Sequence, residues 1–408
     1  MSKANLIAGL DLGTSHIKIL VVGQKNDQEQ LEVLYQDKEP AFGIRRGVVV
    51  DPDKVSRIIQ ILLNRARTEL GQKINSVNIG IGGGHIFCTS SRGMVAVSRA
   101  DRKVSGEDVK RVLQSAQTVS LPSNNEILET FPKNFFLDNE VGTKEVVGMQ
   151  GNRLETEVLV LAGFSPYKNN LTEAVLDADV QISDTMPTPL ASALSVLSPR
   201  QKELGVALLD IGAGTSELAV FEEGELTHLA VFPVGSANIT NDIAIGLKTD
   251  VDVAEAIKIE RGHCLFKGKD KKEKIEAEDG EALIFSQKML ARVIEARMSQ
   301  IFGEVQKELK KISKQGDLPA GVVLTGGGSK MPNIVELARK EFKLPCRLGK
   351  PTYVSGLEDG QIFAVACGLI AADLDFEKIG NKPGGNRSPV SSGGLVDKIK
   401  NFFRIFLP

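Results

Sequence analysis

The sequence predicts a two-lobed α/β protein, and three observations carry that expectation. Strand-like apolar runs at residues 77–81, 158–162, 206–210 and 322–325 alternate with helical patterns along the 408 residues. The segment IAGLDLGTSHIKILVV (residues 7–22) returns about 200 residues later as VALLDIGAGTSELAVF (residues 206–221), an internal repeat in the order strand, Asp, glycine turn, hydroxyl residue, strand. A third glycine-rich strand end, GVVLTGGGSKMPNI (residues 321–334), follows the second copy. Residues 83–161 and 236–302 have no counterpart in the other half and read as insertions into the lobes.

Composition bounds the function. Fifty Lys and Arg against 52 Asp and Glu give a net charge of −2, with 42% hydrophobic residues and 40 glycines. These are globular proportions, sufficient for two to four domains, and they exclude an ordinary basic nucleic-acid binder. Cys88, Cys264, Cys346 and Cys367 show neither CxxC nor zinc spacing, so a reducing compartment is expected. The N-terminus lacks the pattern of a secretory signal, and no apolar run approaches the roughly 20 residues of a spanning helix; a cytoplasmic protein is expected. His16, His85, His228 and His263 show no metal-ligand spacing.

Along the chain, each copy of the repeat places an aspartate at a strand end before a turn. Gly13, Gly212 and Gly214 are expected to adopt positive φ and let consecutive N–H groups approach a phosphate. Thr14, Ser15, Thr215 and Ser216 offer hydroxyl donors beside Ala213, and Lys18 points along the cleft. Asp11 and Asp210 are expected on opposite sides of the same phosphates, where two carboxylates suit Mg2+ held through water. An ordinary hairpin turn explains one such copy far better than two in register. Asp51 and Pro52 form the N-cap and first turn of a helix reaching about Gly71, and Ser105 with Asp108 has the capping-box form. GIGGGH (residues 80–85) fails the dinucleotide-binding spacing and reads as structural. KGKDKKEK (residues 267–274) reads as a solvated loop. Gly326, Gly327 and Gly328 are expected where main chain passes close to a flat ring or phosphate.

From about Glu377 the chain turns rich in Gly, Pro, Ser and Asn, the composition of a flexible linker. The final segment, GLVDKIKNFFRIFLP (residues 394–408), is amphipathic on a helical wheel. Leu395, Val396, Ile399, Phe402, Phe403, Phe406 and Leu407 fall within an arc of roughly 140°. Residues 380–408 carry five basic residues and one acidic, with Lys398, Lys400 and Arg404 beside the aromatic stripe. A detached helix of this kind suits the interface of an anionic membrane, bound weakly alone and firmly when many are displayed together.

The two Asp-Gly turns and VVLTGGGSKMPNI resemble the two phosphate motifs and the adenosine motif of the actin-like ATPase superfamily. AEAIKIERG (residues 254–262) is similar to its AExIK helix, which makes Glu255 and Lys258 candidates for ribose and adenine contacts, and Ser329 falls within the adenosine motif. Within the superfamily the chain resembles the FtsA family of bacterial cell-division proteins over essentially its whole length. GLDLGTSHIK, LDIGAGTSELAVF, PVGSANITNDIAIGL, DVAEAIKIERG, VVLTGGGSKMPNI and the C-terminal linker and helix occur in that family's order.

The resemblance implies an actin-like, ribonuclease H-like two-lobed fold of four subdomains with ATP and Mg2+ in the interlobe cleft. Subdomain 1A comprises residues 1–82, 162–198 and 349–376, subdomain 1C residues 83–161, subdomain 2A residues 199–235 and 303–348, and subdomain 2B residues 236–302. Residues 377–393 are the linker and 394–408 the membrane-targeting helix. It implies head-to-tail polymerisation and tethering of FtsZ filaments to the cytoplasmic face of the inner membrane at the septum. It further implies docking of the FtsZ C-terminal tail on subdomain 2B, with Arg297 as a contact, and of other divisome proteins on subdomain 1C. In one place the chain departs from the superfamily: efficient hydrolysers often carry Glu or Gln where TPLASALSVL has Thr188, so nucleotide binding is better supported than turnover. A type IV pilus assembly scaffold and a small-molecule kinase are the alternatives within the superfamily.

Overall fold

The computed structural model describes residues 6–24, 31–140, 142–276, 282–314 and 316–380. Strands β1 (Leu6–Leu12), β2 (His16–Gln24) and β3 (Leu31–Pro40) form an antiparallel meander. A short hairpin, β4 (Ile44–Arg45) and β5 (Val48–Val49), leads into helix α1 (Pro52–Leu70) and β6 (Ser76–Ile81). The inserted stretch supplies β7 (Phe87–Ala96), α2 (Gly106–Gln117), β8 (Asn125–Leu137) and β9 (Arg153–Phe164). Helix α3 (Ser165–Leu176), β10 (Gln181–Pro187) and α4 (Thr188–Val196) return to the first lobe. Helix α5 (Pro199–Leu204) leads to the second meander, β11 (Val206–Ile211), β12 (Ser216–Glu222) and β13 (Glu225–Phe232). Then come α6 (Ser236–Leu247), α7 (Val251–Arg261), the hairpin β14 (Lys272–Glu276) and β15 (Ala282–Ser286), and α8 (Gln287–Lys311). The chain closes with β16 (Val322–Thr325), α9 (Ile334–Phe342), β17 (Cys346–Leu348), β18 (Val354–Ser355) and α10 (Ala364–Gly380).

The sequence repeat is a repeat of topology. In the first sheet, order β10-β6-β1-β2-β3-β18, β1 has parallel β6 and β10 on one side and antiparallel β2 and β3 on the other. The run β17-β16-β11-β12-β13 reproduces that arrangement strand for strand. Strand β11 is buried at every position because its two faces enter different cores. Val206 and Leu208 join the core shared with the first lobe, and Ala207, Leu209 and Ile211 join the second lobe's own. Helix α4 touches strands of both sheets, and α10 lies so close to it that a Cβ on Gly368 would fall 1.7 Å from the Ala191 carbonyl oxygen.

The inserted strands extend the second lobe's sheet as β13-β7-β9-β8, although the chain enters and leaves them from the first lobe. The seam is a single cross-strand pair, Ala230 with Phe87. Helix α2 covers the insertion's sheet through a separate core that includes Val112, Leu113, Leu154 and Val158.

The capping signals read from the sequence are realised. Asp51 accepts from the Lys54 N–H with Pro52 in the first turn, and Gly71 closes α1 at φ 67°, a left-handed conformation that only glycine adopts without cost. Ser105 and Asp108 form a reciprocal capping box. All four cysteines are free.

Two expectations are corrected. KGKDKKEK is not all loop: Lys272–Glu276 is a strand paired with β15, its lysines outward and Glu273 and Ile275 half-buried, a period-two pattern hidden by charge. Helix α10 continues to Gly380, beyond the expected linker start at Glu377, because Glu, Lys and Ile sustain a helix and the first proline is Pro383. The remaining linker residues and the amphipathic segment, residues 394–408, lie outside the described residues.

Burial works against ionisation of Asp108, yet hydrogen bonds from Ser105 and the Arg111 guanidinium hold its carboxyl below the usual carboxylate range. A depressed carboxyl contributes stability above its unfolded value of 3.8 and loses it as pH falls. Asp108→Asn is therefore expected to lower the melting temperature at neutral pH, and thermal denaturation at falling pH should show the gap from wild type closing.

Candidate functional site

Each meander delivers its aspartate to the floor of a cleft beside the residue seven positions later, because the hairpin pairs the two directly across the strands. In the first lobe Asp11 lies opposite Lys18, and in the second Asp210 lies opposite Glu217. The first pair is a salt bridge, Lys18 Nζ to Asp11 Oδ2 at 2.6 Å. The second sets acid beside acid, with Asp210 and Glu217 both buried. Burial raises Asp210 above the usual carboxylate range, with Asp11 adding to the rise and Lys18 and Ser192 opposing it. Burial likewise raises Glu217, and the neighbouring Asp210 adds to it. Asp11, Lys18, Asp210 and Glu217 thus form one electrostatic unit drawn from both lobes.

Thr188, the first residue of α4, donates its hydroxyl to Glu217 Oε1 at 2.8 Å. Glu217 Oε2 is buried without a hydrogen-bond partner. A carboxylate therefore does stand beside Thr188, contributed by β12 rather than by the helix. Its polar position within SELAVF and its sevenfold spacing from Asp210, matched by Lys18 from Asp11, were the available signals.

The glycine turns pack on one another and on this unit. Positive φ is not their reason: of the expected glycines only Gly326 adopts it, at 84°. The constraint on the others is space. A Cβ on Gly13 would lie 2.8 Å from the His16 carbonyl oxygen, and one on Gly214 would lie 2.7 Å from Thr14 Oγ1, where the two phosphate-type turns abut. A Cβ on Gly326 would fall 2.1 Å from Asp210 Oδ1, and one on Gly328 would meet Ile211. Gly327 faces open space, and Ser329 is buried, donating to the Gly326 carbonyl. The N-terminus of α6 rests on the second turn, with Ser236 N–H on Gly212 O and Ala237 N–H on Ala213 O, both at 2.9 Å.

The expected hydroxyl donors divide. Thr14 Oγ1 accepts from the Gly47 N–H at 2.8 Å, Ser15 pairs with the His16 ring, and Thr215 is buried in the second turn. Ser216 points away, donating to Val234 O at 2.8 Å, because strand alternation turns it from the cleft. Lys258 is buried within its own lobe, bonded to Glu255 at 2.6 Å and to Thr240 at 2.9 Å, while Glu255 stays partly exposed. Arg297 lies away from the cleft and is clamped two-pronged by Asp242, at 2.6 and 2.7 Å.

Among the described residues, no group of three or more His, Cys, Asp or Glu is arranged to hold a metal ion directly. Asp11 and Asp210 fit a hydrated divalent cation better than a bare one. The unpartnered oxygen on Glu217 and the raised carboxyls together mark this end of the cleft as short of positive charge. Raised carboxyls stabilise the fold at pH below their unfolded values and lose that contribution as pH rises through their folded ones. Without ligand, the protein is expected to melt lower as pH climbs from the ordinary carboxylate range toward 8. Thermal denaturation of Glu217→Gln across that window should show a flatter dependence.

Comparison with known proteins gives this site its context. A family profile described as cell division protein FtsA matches residues 207–368, and one described as an SHS2 domain inserted in FtsA matches residues 83–162. The cell division protein FtsA of Pseudomonas aeruginosa is 38% identical over 93% of this chain and 92% of its own. Among solved structures, a PilM-PilN type IV pilus biogenesis complex aligns with a TM-score of 0.64 at 17% identity, covering 90% of this chain and 98% of that one. MreB5 of Spiroplasma citri bound to ADP aligns at 0.57 and 14%, covering 92% and 97%. The two structural likenesses show an actin-like fold, and the extent and identity of the sequence match place the chain in the FtsA family of cell division proteins.

Proposed function

We propose that the cleft binds ATP, with Asp11 and Asp210 holding Mg2+ through water, and that the protein polymerises head to tail to tether FtsZ filaments at the division septum. The observation that carries the nucleotide reading is the abutment of two glycine turns and a third glycine strand end around buried carboxylates from both lobes. Lys18 offers a cation and the turns offer close backbone approach to phosphate oxygens, while Glu255 borders the ribose side. The Lys258 ammonium acts by orienting Glu255.

Turnover is a separate matter. Glu217, held by Thr188, serves in this reading as a slow general base for water in its ionised form, the minor one at neutral pH. Residues 236–302 make the FtsZ-tail surface in this reading. There Arg297 exchanges the Asp242 carboxylate for an acidic tail. Residues 83–161 recruit later divisome proteins. Residues 394–408 bind anionic lipid at the cytoplasmic face of the inner membrane. Among the described residues no helix is long and apolar enough to cross a membrane. A heterologous head-to-tail contact need not close and so builds filaments. The pilus-scaffold reading has a shared fold behind it, and the kinase reading leaves the amphipathic tail unexplained.

Three outcomes test the proposal. Asp210→Ala is expected to weaken ATP binding at least about tenfold by calorimetry, whereas Glu217→Gln binds within about threefold and loses about tenfold or more in turnover. Asp242→Asn is expected to tighten binding of an acidic tail peptide and Arg297→Glu to abolish it, as read by fluorescence anisotropy. In co-sedimentation with anionic vesicles, ATP and magnesium, the intact chain should pellet and a chain truncated after Gly393 should not; equal pelleting removes the tether.

A further inference from the structure

GIGGGH has no part in the nucleotide reading, yet it connects the carboxylate unit to the neck of the insertion. Beyond β6 the backbone of Gly82 runs against the Thr188–Glu217 pair: a Cβ there would lie 3.0 Å from Thr188 Oγ1 and 3.5 Å from Glu217 Oε1. Gly83, at φ 105°, stacks on Gly47, whose own Cβ would fall 2.9 Å from Gly83 N. Gly47 in turn donates to Thr14, and Thr14 packs on Gly214. Both phosphate-type turns and the neck are therefore in close contact, Gly47 on Gly83 through backbone and the rest through the short side chain of Thr14 and the Thr188–Glu217 pair.

His85 fastens the neck. Its Nδ1 lies 3.0 Å from the Phe164 N–H, which can only donate, so Nδ1 accepts and the ring proton sits on Nε2. Nε2–H donates to Gly82 O at 3.0 Å. One imidazole thus ties the strand leaving the first lobe to the strand returning to it. Tyr167 meets the ring edge-on at 5.1 Å and meets Phe164 at the same distance. Burial keeps the ring neutral, with the Gly82 carbonyl opposing, as the acceptor role of Nδ1 requires. The far side of the insertion meets the second lobe through one ladder pair, Ala230 with Phe87, the Cys88 thiol on Leu229 O at 3.2 Å, Lys144 with Glu225 at 3.1 Å, and side chains of a shared apolar core that can slide where a hydrogen-bonded ladder cannot.

We propose that His85 is a positioning residue that couples occupancy of the phosphate end of the cleft to the orientation of the inserted domain, residues 83–162. The proposal rests on the nucleotide reading. A ligand drawing Glu217 and Thr14 toward itself moves the Gly82 and Gly47 backbones, His85 carries the displacement to Phe164, and the one-pair seam at Phe87 yields.

The test is hydrogen–deuterium exchange of the full chain with and without magnesium and AMPPNP, with nucleotide affinity measured in parallel by calorimetry. Wild type is expected to show at least about a threefold change in exchange rate across residues 86–97 and 153–164 on binding. His85→Phe keeps the ring contact with Tyr167 and loses both hydrogen bonds; it is expected to bind AMPPNP within about twofold of wild type while losing that response. His85→Gln, which retains a donor and an acceptor, should recover part of it, and it replaces His85→Phe as the comparison if the latter does not fold. An unchanged response in the variant, or binding by wild type with no response in these segments, overturns the coupling and leaves the nucleotide reading intact. Failure of wild type to bind AMPPNP removes both.

Discussion

Burying two carboxylates side by side is the constraint around which the second lobe is organised. Asp210 and Glu217 face one another across a hairpin, and the repeat puts Lys18 in the equivalent place opposite Asp11. One half of the duplicated fold is internally neutralised and the other is not. The imbalance is tolerated because Lys18 lies close enough to offset Asp210 across the cleft and because Thr188 donates to Glu217. Glycines at 214, 326 and 328 then follow from necessity, since each sits where a side chain would collide with the other turn, with Asp210 or with Ile211.

Much of this was legible in the sequence, and the reasons are local. Asp51, Gly71, Ser105 and Asp108 act within a few residues of themselves, so their caps can be read from spacing alone. The turns repeat, and repetition turned a weak signal into a strong one. What stayed hidden depends on contacts between distant parts of the chain. Glu217 is marked in the sequence only by its charge within an apolar strand and its spacing from Asp210, and only the fold shows that it fills the space beside Thr188. For Gly13, Gly212 and Gly214 the expected positive φ is not what the turns use, and crowding between turns cannot be seen from one turn. The strand within KGKDKKEK was masked by its outward lysines.

The insertion shows how topology and connectivity diverge. Its chain ends belong to the first lobe, but its strands continue the second lobe's sheet, and its base residues Ile86, Leu159 and Leu161 share a core with Leu208, Phe221 and Leu229. A domain placed this way is a party to any relative movement of the lobes. The seam carries one ladder pair, so few directional backbone bonds fix the insertion there, whereas the glycine-packed neck, where even a methyl group would collide, leaves little room for slack.

In the acidic-tail contact proposed above, the Arg297–Asp242 pair has a kinetic consequence. A guanidinium with a resident carboxylate is never stripped bare when a guest leaves, because the resident returns within a side-chain rotation. Dissociation can proceed one prong at a time, each vacated donor refilled before the next is surrendered, which lowers the barrier to release while subtracting from affinity. A surface built in this way suits brief, renewable contacts, in which grip comes from the number of sites engaged and turnover from the speed with which each lets go.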